Sequence, residues 1–213
     1  MRLASRIKES EELIQWLDSR IDGIEIRSEM RSRLAGGCLD VALEHQKAIV
    51  LLIARALYGS AFSLVRLMFE AYVRGVWLHQ CASDADLKQF ESDTLNRAFG
   101  SLVEDIEKLD SFNVGILSAV KNKSWSAMNS FTHTGFAQVV RRNKESTIEP
   151  NYEEAELLEA IGFANGIALM SAIEIAHLAN NDTLANALLE KAKAISKLSP
   201  NSGVQPTPAR GRG

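Results

Sequence analysis

The chain has 213 residues, of which 46% are hydrophobic and 24% are charged, and its formal net charge is −3. These values are ordinary for a globular protein, and the length suits one domain with a substantial core. The slight negative charge argues against nucleic-acid binding through bulk positive charge, although it leaves room for a local basic site. The two cysteines, Cys38 and Cys81, form no CxxC motif, which excludes a disulfide framework and a cysteine zinc site and favours a reducing compartment.

Targeting segments are not evident in the sequence. The first ten residues carry no apolar stretch behind their basic side chains, so we expect no signal peptide. The longest apolar runs, 48–54, 61–78 and 161–173, are short or interrupted by polar residues, whereas a membrane span needs about 20 apolar residues. The sequence therefore predicts a soluble, cytoplasmic protein with no membrane partner.

Proline placement indicates the fold class. Of four prolines, only Pro150 lies within residues 1–199, and a proline inside a helix costs about 3 kcal/mol. We therefore predict an all-α fold, an irregular bundle of six to eight helices with a long central pair of apolar helices, forming a single domain over residues 1–198. Residues 199–213 are rich in proline, glycine and arginine with almost nothing to bury, which predicts a disordered tail.

Helical periodicity sets the expected elements in chain order. A first helix is predicted over 6–21 and a second over 26–58, with a possible kink at Gly36-Gly37 and an end at Gly59-Ser60. The third covers 61–82, and Ser83 begins a fourth with the capping-box partner Asp86. The later helices are predicted over 95–109, within 115–135, over 135–142, from an Asn151 N-cap to about 180 after a polar loop at 144–149, and over 183–198 after an Asp182 N-cap.

The third predicted helix carries the most informative pattern. Arg66, Glu70 and Arg74 recur every four residues and so form one polar stripe on a helix that is otherwise apolar. A buried unpaired charge is costly, so the stripe must be paired or open to a cleft. It could be a buried ion-pair network that fixes helix register, an anion-binding cleft in which Glu70 holds the arginines, or an ordinary solvated face.

His133 is the second candidate. It lies between a predicted helix and Gly135, where a sharp turn is possible and where Thr132 or Thr134 could cap the following helix. A histidine at such a junction can act as a general acid or base near neutral pH, or it can simply hydrogen-bond a helix terminus.

The remaining histidines and short motifs give weaker evidence for a function. His79 lies about 140° around the helix from Arg74, and exposed polar positions account for His45 and His177. The sequence contains no HExxH, GxGxxG, GxxxxGK[ST] or GxSxG motif, so we expect no metal and no cofactor. The pair Gly162 and Gly166 predicts close packing of two helices in the core.

The segment SLVRLMFEAYVRGVWL, followed some sixty residues later by SFTHTG, resembles uncharacterised all-helical bacterial proteins of the domain-of-unknown-function type over about residues 40–180. Such proteins are distantly similar to HEPN domains, which occur in toxin and phage-defence systems. The resemblance implies an R-x(4–6)-H motif for a ribonuclease, and the formal match here is Arg74 to His79 with Gly75 in the polar position. The QPTP and GRG pieces resemble the ends of proteins encoded in mobile gene cassettes.

Three functions are compatible with these observations. The preferred one is a binding or accessory role, in defence or stress, for a site built from Arg66, Glu70, Arg74 and His133. An alternative is a metal-independent ribonuclease in which His133 takes the 2′-hydroxyl proton and Arg66 and Arg74 stabilise the phosphorane. The third is a purely structural or oligomerisation module. Expected partners are a second copy of the chain, an RNA or another protein.

Overall fold

The computed structural model describes residues 2–198 of the chain. These residues form nine helices and one two-stranded hairpin, which confirms the predicted all-α class. The elements are α1 (Arg2–Ile21), α2 (Met30–Ala54), α3 (Tyr58–Gln80), α4 (Asp84–Glu91), α5 (Phe99–Ile106), α6 (Ile116–Thr132), α7 (Phe136–Val140), β1 (Asn143–Lys144), β2 (Thr147–Ile148), α8 (Glu154–Leu178) and α9 (Asp182–Leu198). The nine helices exceed the predicted six to eight, although each corresponds to one of the helical segments predicted in chain order. The tail predicted over 199–213 lies outside the described residues.

The central helices α2 and α3 form a helical hairpin with the most extensive packing in the bundle, and α8 packs against both. This arrangement confirms the predicted central apolar pair. The largest fully buried side chains, Trp77, Tyr72 and Phe69, all lie on α3. Helix α3 is therefore anchored on its apolar sides, which fixes the direction in which its polar stripe faces.

Helix α8 is long and apolar enough to cross a membrane by length and composition, and 67% of its most apolar window is buried inside the bundle. Residues 161–173, predicted to be too short or too interrupted for a span, form only the middle of this helix. Burial of most of this stretch against other helices is what the core helix of a bundle shows.

A buried polar chain joins α1, α2 and α8. Gln46 Nε2 donates to Asn165 Oδ1 at 2.9 Å, and Asn165 Nδ2 donates to Ser10 Oγ at 2.8 Å. All three side chains are almost completely buried. Since buried polar groups are costly without partners, this chain favours one register of the three helices.

The boundary between α2 and α3 differs from the prediction. The break falls at residues 55–57, where Ala56 has a φ of 56°, and Gly59 lies in the first turn of α3. Alanine rarely adopts positive φ, so this turn has no signal in the sequence. Helix α2 is continuous through Gly36 and Gly37.

Helix caps confirm some predictions and correct others. Ser83 and Asp86 form the predicted capping box of α4. Helix α8 begins later than predicted, with a capping box between Glu153 and Glu156 instead of an Asn151 cap. At α9 the side chain of Asn181 accepts the Leu184 N–H, one residue before the predicted Asp182. Several neighbouring acidic and amide side chains can each serve as an N-cap, so the tertiary fold determines which of them caps the helix.

Two further expectations were wrong. Residues 144–149, predicted as a polar loop, contribute to a short antiparallel hairpin in which Asn143 pairs with Ile148. Gly162 and Gly166 are exposed, and a Cβ at either position would meet nothing within 4 Å. They face outward because the buried side of α8 is formed by alanine, leucine and isoleucine side chains together with a few polar ones such as Asn165.

Candidate functional site

The stripe on α3 is internally paired and partly open to solvent. Arg66 Nε donates to Glu70 Oε1 at 2.7 Å, and Arg74 Nη2 lies 3.8 Å from Glu70 Oε2. The side chains of Arg66 and Glu70 are 20% and 17% exposed, and that of Arg74 is 45% exposed. The stripe is thus neither a sealed network nor a freely solvated face.

His133 extends this stripe. Its Nε2 lies 2.9 Å from Arg66 Nη1, and because a guanidinium can only donate, the imidazole nitrogen must accept. Neutral His133 therefore carries its proton on Nδ1. The Arg66 guanidinium also lies 4.7 Å from the centre of the Trp125 ring, which stacks on Phe99 at 4.5 Å. The structure thus brings Arg66, Glu70, Arg74 and His133 together in one continuous row, which we call the polar row.

Local folding explains how His133 reaches α3. Helix α6 ends at Thr132 with His133 as its C-cap, and Thr134 turns the chain with a φ of 53°. Ser63 Oγ on α3 donates to the Phe131 carbonyl at 2.8 Å, and Gln138 Nε2 donates to Ser63 Oγ at 3.1 Å. These bonds hold the end of α6 against the first turns of α3.

The expected cap of the next helix was wrong. Neither Thr132 nor Thr134 caps α7; the Ala137 N–H instead donates to Ser130 Oγ at 2.9 Å. Gly135 has an extended backbone, and a Cβ there would lie 2.6 Å from Ser130 Oγ. Glycine is needed here because Ser130 approaches closely, and the turn itself is made by Thr134.

A groove of about 480 Å³ lies between the two central helices and reaches one end of the polar row. Its charged lining consists of Arg33, Glu70 and Arg74, and its apolar lining includes Leu34, Val41, Leu67 and Phe90. Arg33 is exposed and forms no ion pair with any residue in the described part of the chain. The groove therefore carries a local positive charge on a chain whose net charge is negative.

Two further groups of the groove are held neutral. Burial raises the pKa of the Cys38 thiol to about 11, against a smaller opposing effect of Arg74. A thiol with so high a pKa is not a nucleophile near neutral pH. Burial also lowers the pKa of His45, which favours its neutral form despite the nearby Glu44. The positive charge of the groove thus comes from its arginines.

A buried carboxylate that the sequence analysis missed lies at the other end of α3. Glu174 is 4% exposed and accepts hydrogen bonds from His79 Nδ1 at 2.6 Å and Gln80 Nε2 at 2.5 Å. His177 Nδ1 lies 3.5 Å from its other oxygen. His79 therefore faces Glu174 while Arg74 pairs with Glu70, and the formal Arg74-to-His79 motif is not assembled.

The pKa of Glu174 reflects opposing effects. Burial alone raises it, but the hydrogen bonds from His79 and Gln80, together with the charges of His79 and His177, outweigh burial and lower the pKa below its ordinary value. The sequence offered no signal of this cluster because Glu174 and His79 are 95 residues apart. Within the residues that the structure describes, no group of three or more histidine, cysteine, aspartate or glutamate side chains is placed to hold a metal ion.

Most of the chain matches the profile of one protein family. The profile of a family described as a family of unknown function, DUF6988, matches residues 39–201. The chain belongs to this family. The DUF6988 match includes the whole polar row and leaves out α1, the beginning of α2 and Arg33. It confirms the expected domain-of-unknown-function type and supports neither the HEPN resemblance nor the mobile-cassette resemblance. No curated protein and no solved structure matches the chain.

Proposed function

We propose that this DUF6988 chain is a binding protein whose groove between α2 and α3 takes a small anionic ligand with an apolar body. The observation that carries the proposal is the state of the two groove arginines. Arg74 is 45% exposed and makes a single long contact of 3.8 Å with Glu70, and Arg33 has no ion-pair partner among the described residues. Both guanidiniums retain donors for an incoming anion.

The chemistry of the lining defines the ligand class. Guanidinium groups bind carboxylates and phosphates through paired N–H donors, often in a bidentate geometry. The apolar walls of the groove, which include Leu67 and Phe90, suit a hydrophobic body next to the charged group. A free inorganic anion would leave those walls uncovered, so an amphipathic carboxylate or phosphate ester is favoured.

The remainder of the polar row has a positioning role in this proposal. Glu70 contacts both Arg66 and Arg74, while Trp125 and His133 hold the Arg66 guanidinium from its other side. Because a carboxylate and an aromatic ring already restrict the Arg66 side chain, ligand binding next to it costs little further conformational entropy of that side chain. The row thereby keeps Glu70 in place beside the groove.

Calorimetric titration with three matched probes tests the proposal. Phenylacetate and phenyl phosphate should bind the groove, and neutral phenylacetamide should bind there at least about tenfold more weakly because it cannot pair with Arg74; binding at the groove is the part of the affinity that Arg74→Gln removes. Arg74→Gln should weaken binding of both anions by a similar factor. The matched control is Arg55→Gln, an exposed arginine outside the groove lining, which should leave affinity unchanged. Acid and amide that lose affinity by the same factor in Arg74→Gln, or an acid affinity that Arg74→Gln leaves unchanged, would overturn the proposal.

A metal-independent ribonuclease is the second candidate, and the contact between His133 and Arg66 favours it. In that role His133 Nε2 would have to release the Arg66 hydrogen bond before accepting a 2′-hydroxyl proton. RNA incubated with the chain should then yield 2′,3′-cyclic phosphate ends, EDTA should have no effect, and His133→Ala should remove the activity. Structured and single-stranded RNAs that stay intact over a range of pH exclude this candidate.

The same titrations distinguish the third candidate, a structural or self-associating module, from the other two. If no anion binds and RNA stays intact, the ion pairs of the polar row serve only to set helix register. Sedimentation of the purified chain at several concentrations then shows whether a homodimer forms.

A further inference from the structure

A second cavity lies on the other side of α3, between α3, α6, α7 and α8. Its volume is about 290 Å³, and it shares no lining residue with the groove between α2 and α3. Six apolar side chains form most of its wall: Phe62, Val65, Met128, Phe131, Ala160 and Phe163. Met128, Phe131 and Ala160 are themselves buried, so the cavity extends into the core.

Charged residues occupy the part of the lining that meets solvent. Arg141 Nε donates to Glu156 Oε2 at 3.2 Å, and the side chains of this pair are 34% and 30% exposed. Glu159, also in the lining, has a side chain that is 78% exposed and lies 3.8 Å from Lys123 Nζ. The guanidinium of Arg141 is already bound by a carboxylate, and a second carboxylate lies nearby. Among the described residues, the lining therefore offers no unpaired cation to a negatively charged ligand.

The size and chemistry of the wall indicate what fits. An apolar cavity of about 150 Å³ stays dry and binds benzene, because a water molecule there finds too few hydrogen-bond partners. The present cavity is about twice that size and approaches the lower end of ordinary ligand sites, at roughly 300 Å³. Three phenylalanine rings in the wall offer edge and face contacts that favour another aromatic ring.

We propose that this cavity binds an uncharged aromatic molecule of one or two rings. The proposal is independent of the anion site, because the two cavities lie on different sides of α3 and differ in the charge of their linings. Indole is a suitable probe since it is uncharged, of the right size and soluble, and indole-3-carboxylate is its matched anion.

Direct titration and thermal unfolding of the full chain test the proposal. Indole should bind measurably, and a concentration near 100 times its Kd should raise Tm by about 4 °C or more, because ligand binding to the native state alone stabilises it. In the Arg74→Gln chain, whose groove should no longer bind anions, indole-3-carboxylate should bind at least about tenfold more weakly than indole. Wild-type chain that fails to bind indole, or an Arg74→Gln chain that binds the carboxylate as well as indole, contradicts the proposal.

Variants locate the binding. Ala160→Leu and Ala127→Leu each place extra carbons into the cavity and should weaken indole binding by about tenfold or more. Ala127 is exposed, so its variant should fold even where Ala160→Leu overpacks the core. Ala119→Leu, at another exposed position of α6 that is outside the cavity lining, is the matched control.

The Arg74→Gln variant should bind indole like the wild type, which separates this proposal from failure of the anion site. Unchanged indole affinity in a folded Ala127→Leu chain would show that indole binds elsewhere and would overturn the assignment.

Discussion

His133 Nε2 lies 2.9 Å from Arg66 Nη1, although 67 residues separate the two positions in the sequence. The contact joins the C-cap of α6 to the middle of α3 and completes a set of partners around one guanidinium. Arg66 is held by Glu70 along the helix, by the Trp125 ring and by His133. Its position beside Glu70 therefore depends on two different helices.

Loss of His133 should be mild for stability. His133→Ala removes one exposed hydrogen bond, so we expect the free energy of unfolding to fall by about 1 kcal/mol or less. His133→Gln, whose amide oxygen can accept from Arg66, should recover part of that loss. Urea denaturation measures both variants. A loss well above 2 kcal/mol in His133→Ala would mean that this contact organises the end of α6.

Loss of the Glu70 carboxylate should lower the free energy of unfolding more than loss of His133. Glu70→Ala leaves the half-buried Arg66 without its 2.7 Å partner, and we expect a loss of about 1–2 kcal/mol. A fully sealed pair would cost about 3–5 kcal/mol, and the remaining solvent contact of these side chains reduces that figure. The control is Glu12→Ala, whose ion pair with Lys8 is exposed and should cost less than about 0.5 kcal/mol. Equal effects of the two substitutions in denaturant melts would contradict this expectation.

Substitution of glycine by alanine should destabilise the chain at Gly75 and stabilise it at Gly162. At Gly75 a Cβ would lie 2.7 Å from Leu39 Cγ and 3.2 Å from the Ala35 carbonyl oxygen, so Gly75→Ala should cost about 1–3 kcal/mol. At Gly162 the Cβ would meet nothing within 4 Å, and Gly162→Ala should stabilise α8 by about 0.5–1 kcal/mol. Thermal unfolding should thus move Tm in opposite directions, and a drop in Tm for both would refute the prediction.

Glu174 makes stability depend on acid pH. Its pKa in the folded chain lies below the ordinary 4.5, so the unfolded chain binds the proton more readily. The stabilisation is fully present above about pH 4.5 and is lost as the pH falls through the folded pKa. Glu174→Gln should therefore differ most from the wild type near neutral pH and least in acid.

Denaturation of the wild type and of Glu174→Gln at a series of pH values checks this dependence. Glu91→Gln, at an exposed position, should run parallel to the wild type throughout. A constant difference between Glu174→Gln and the wild type across the acid range would show that the folded chain does not hold this carboxylate at a lowered pKa.

The sequence predicted the fold well wherever local signals act. The scarcity of proline, the apolar periodicity and the Ser83–Asp86 capping box all operate within a few residues, and the corresponding helices are present. The turn at Ala56 was missed because alanine carries no turn signal. The glycine expected to end α2, Gly59, instead lies inside α3, where a Cβ would come within 3.3 Å of the Tyr152 hydroxyl.

The candidate site could be predicted only in part, because only some of its contacts lie within a single helix. The spacing of Arg66, Glu70 and Arg74 is a property of one helix, and their mutual pairing follows from it. Contacts made across the bundle have no such local signature, so the approach of His133 to Arg66 was an assumption. The burial of Glu174 beside His79 was not anticipated, because a carboxylate near a histidine on a long helix usually faces water.

Glu70 divides its two carboxylate oxygens between two guanidiniums, Oε1 to Arg66 and Oε2 to Arg74. A ligand anion that draws Arg74 toward the groove would leave the carboxylate to Arg66 alone. Thermodynamic linkage is reciprocal, so the pairing of Arg66 with Glu70 must alter groove affinity by the same factor with which the ligand alters that pairing. Substitutions of the two arginines should then fail to add, and the size of the deviation measures the energy that the shared carboxylate transmits between them.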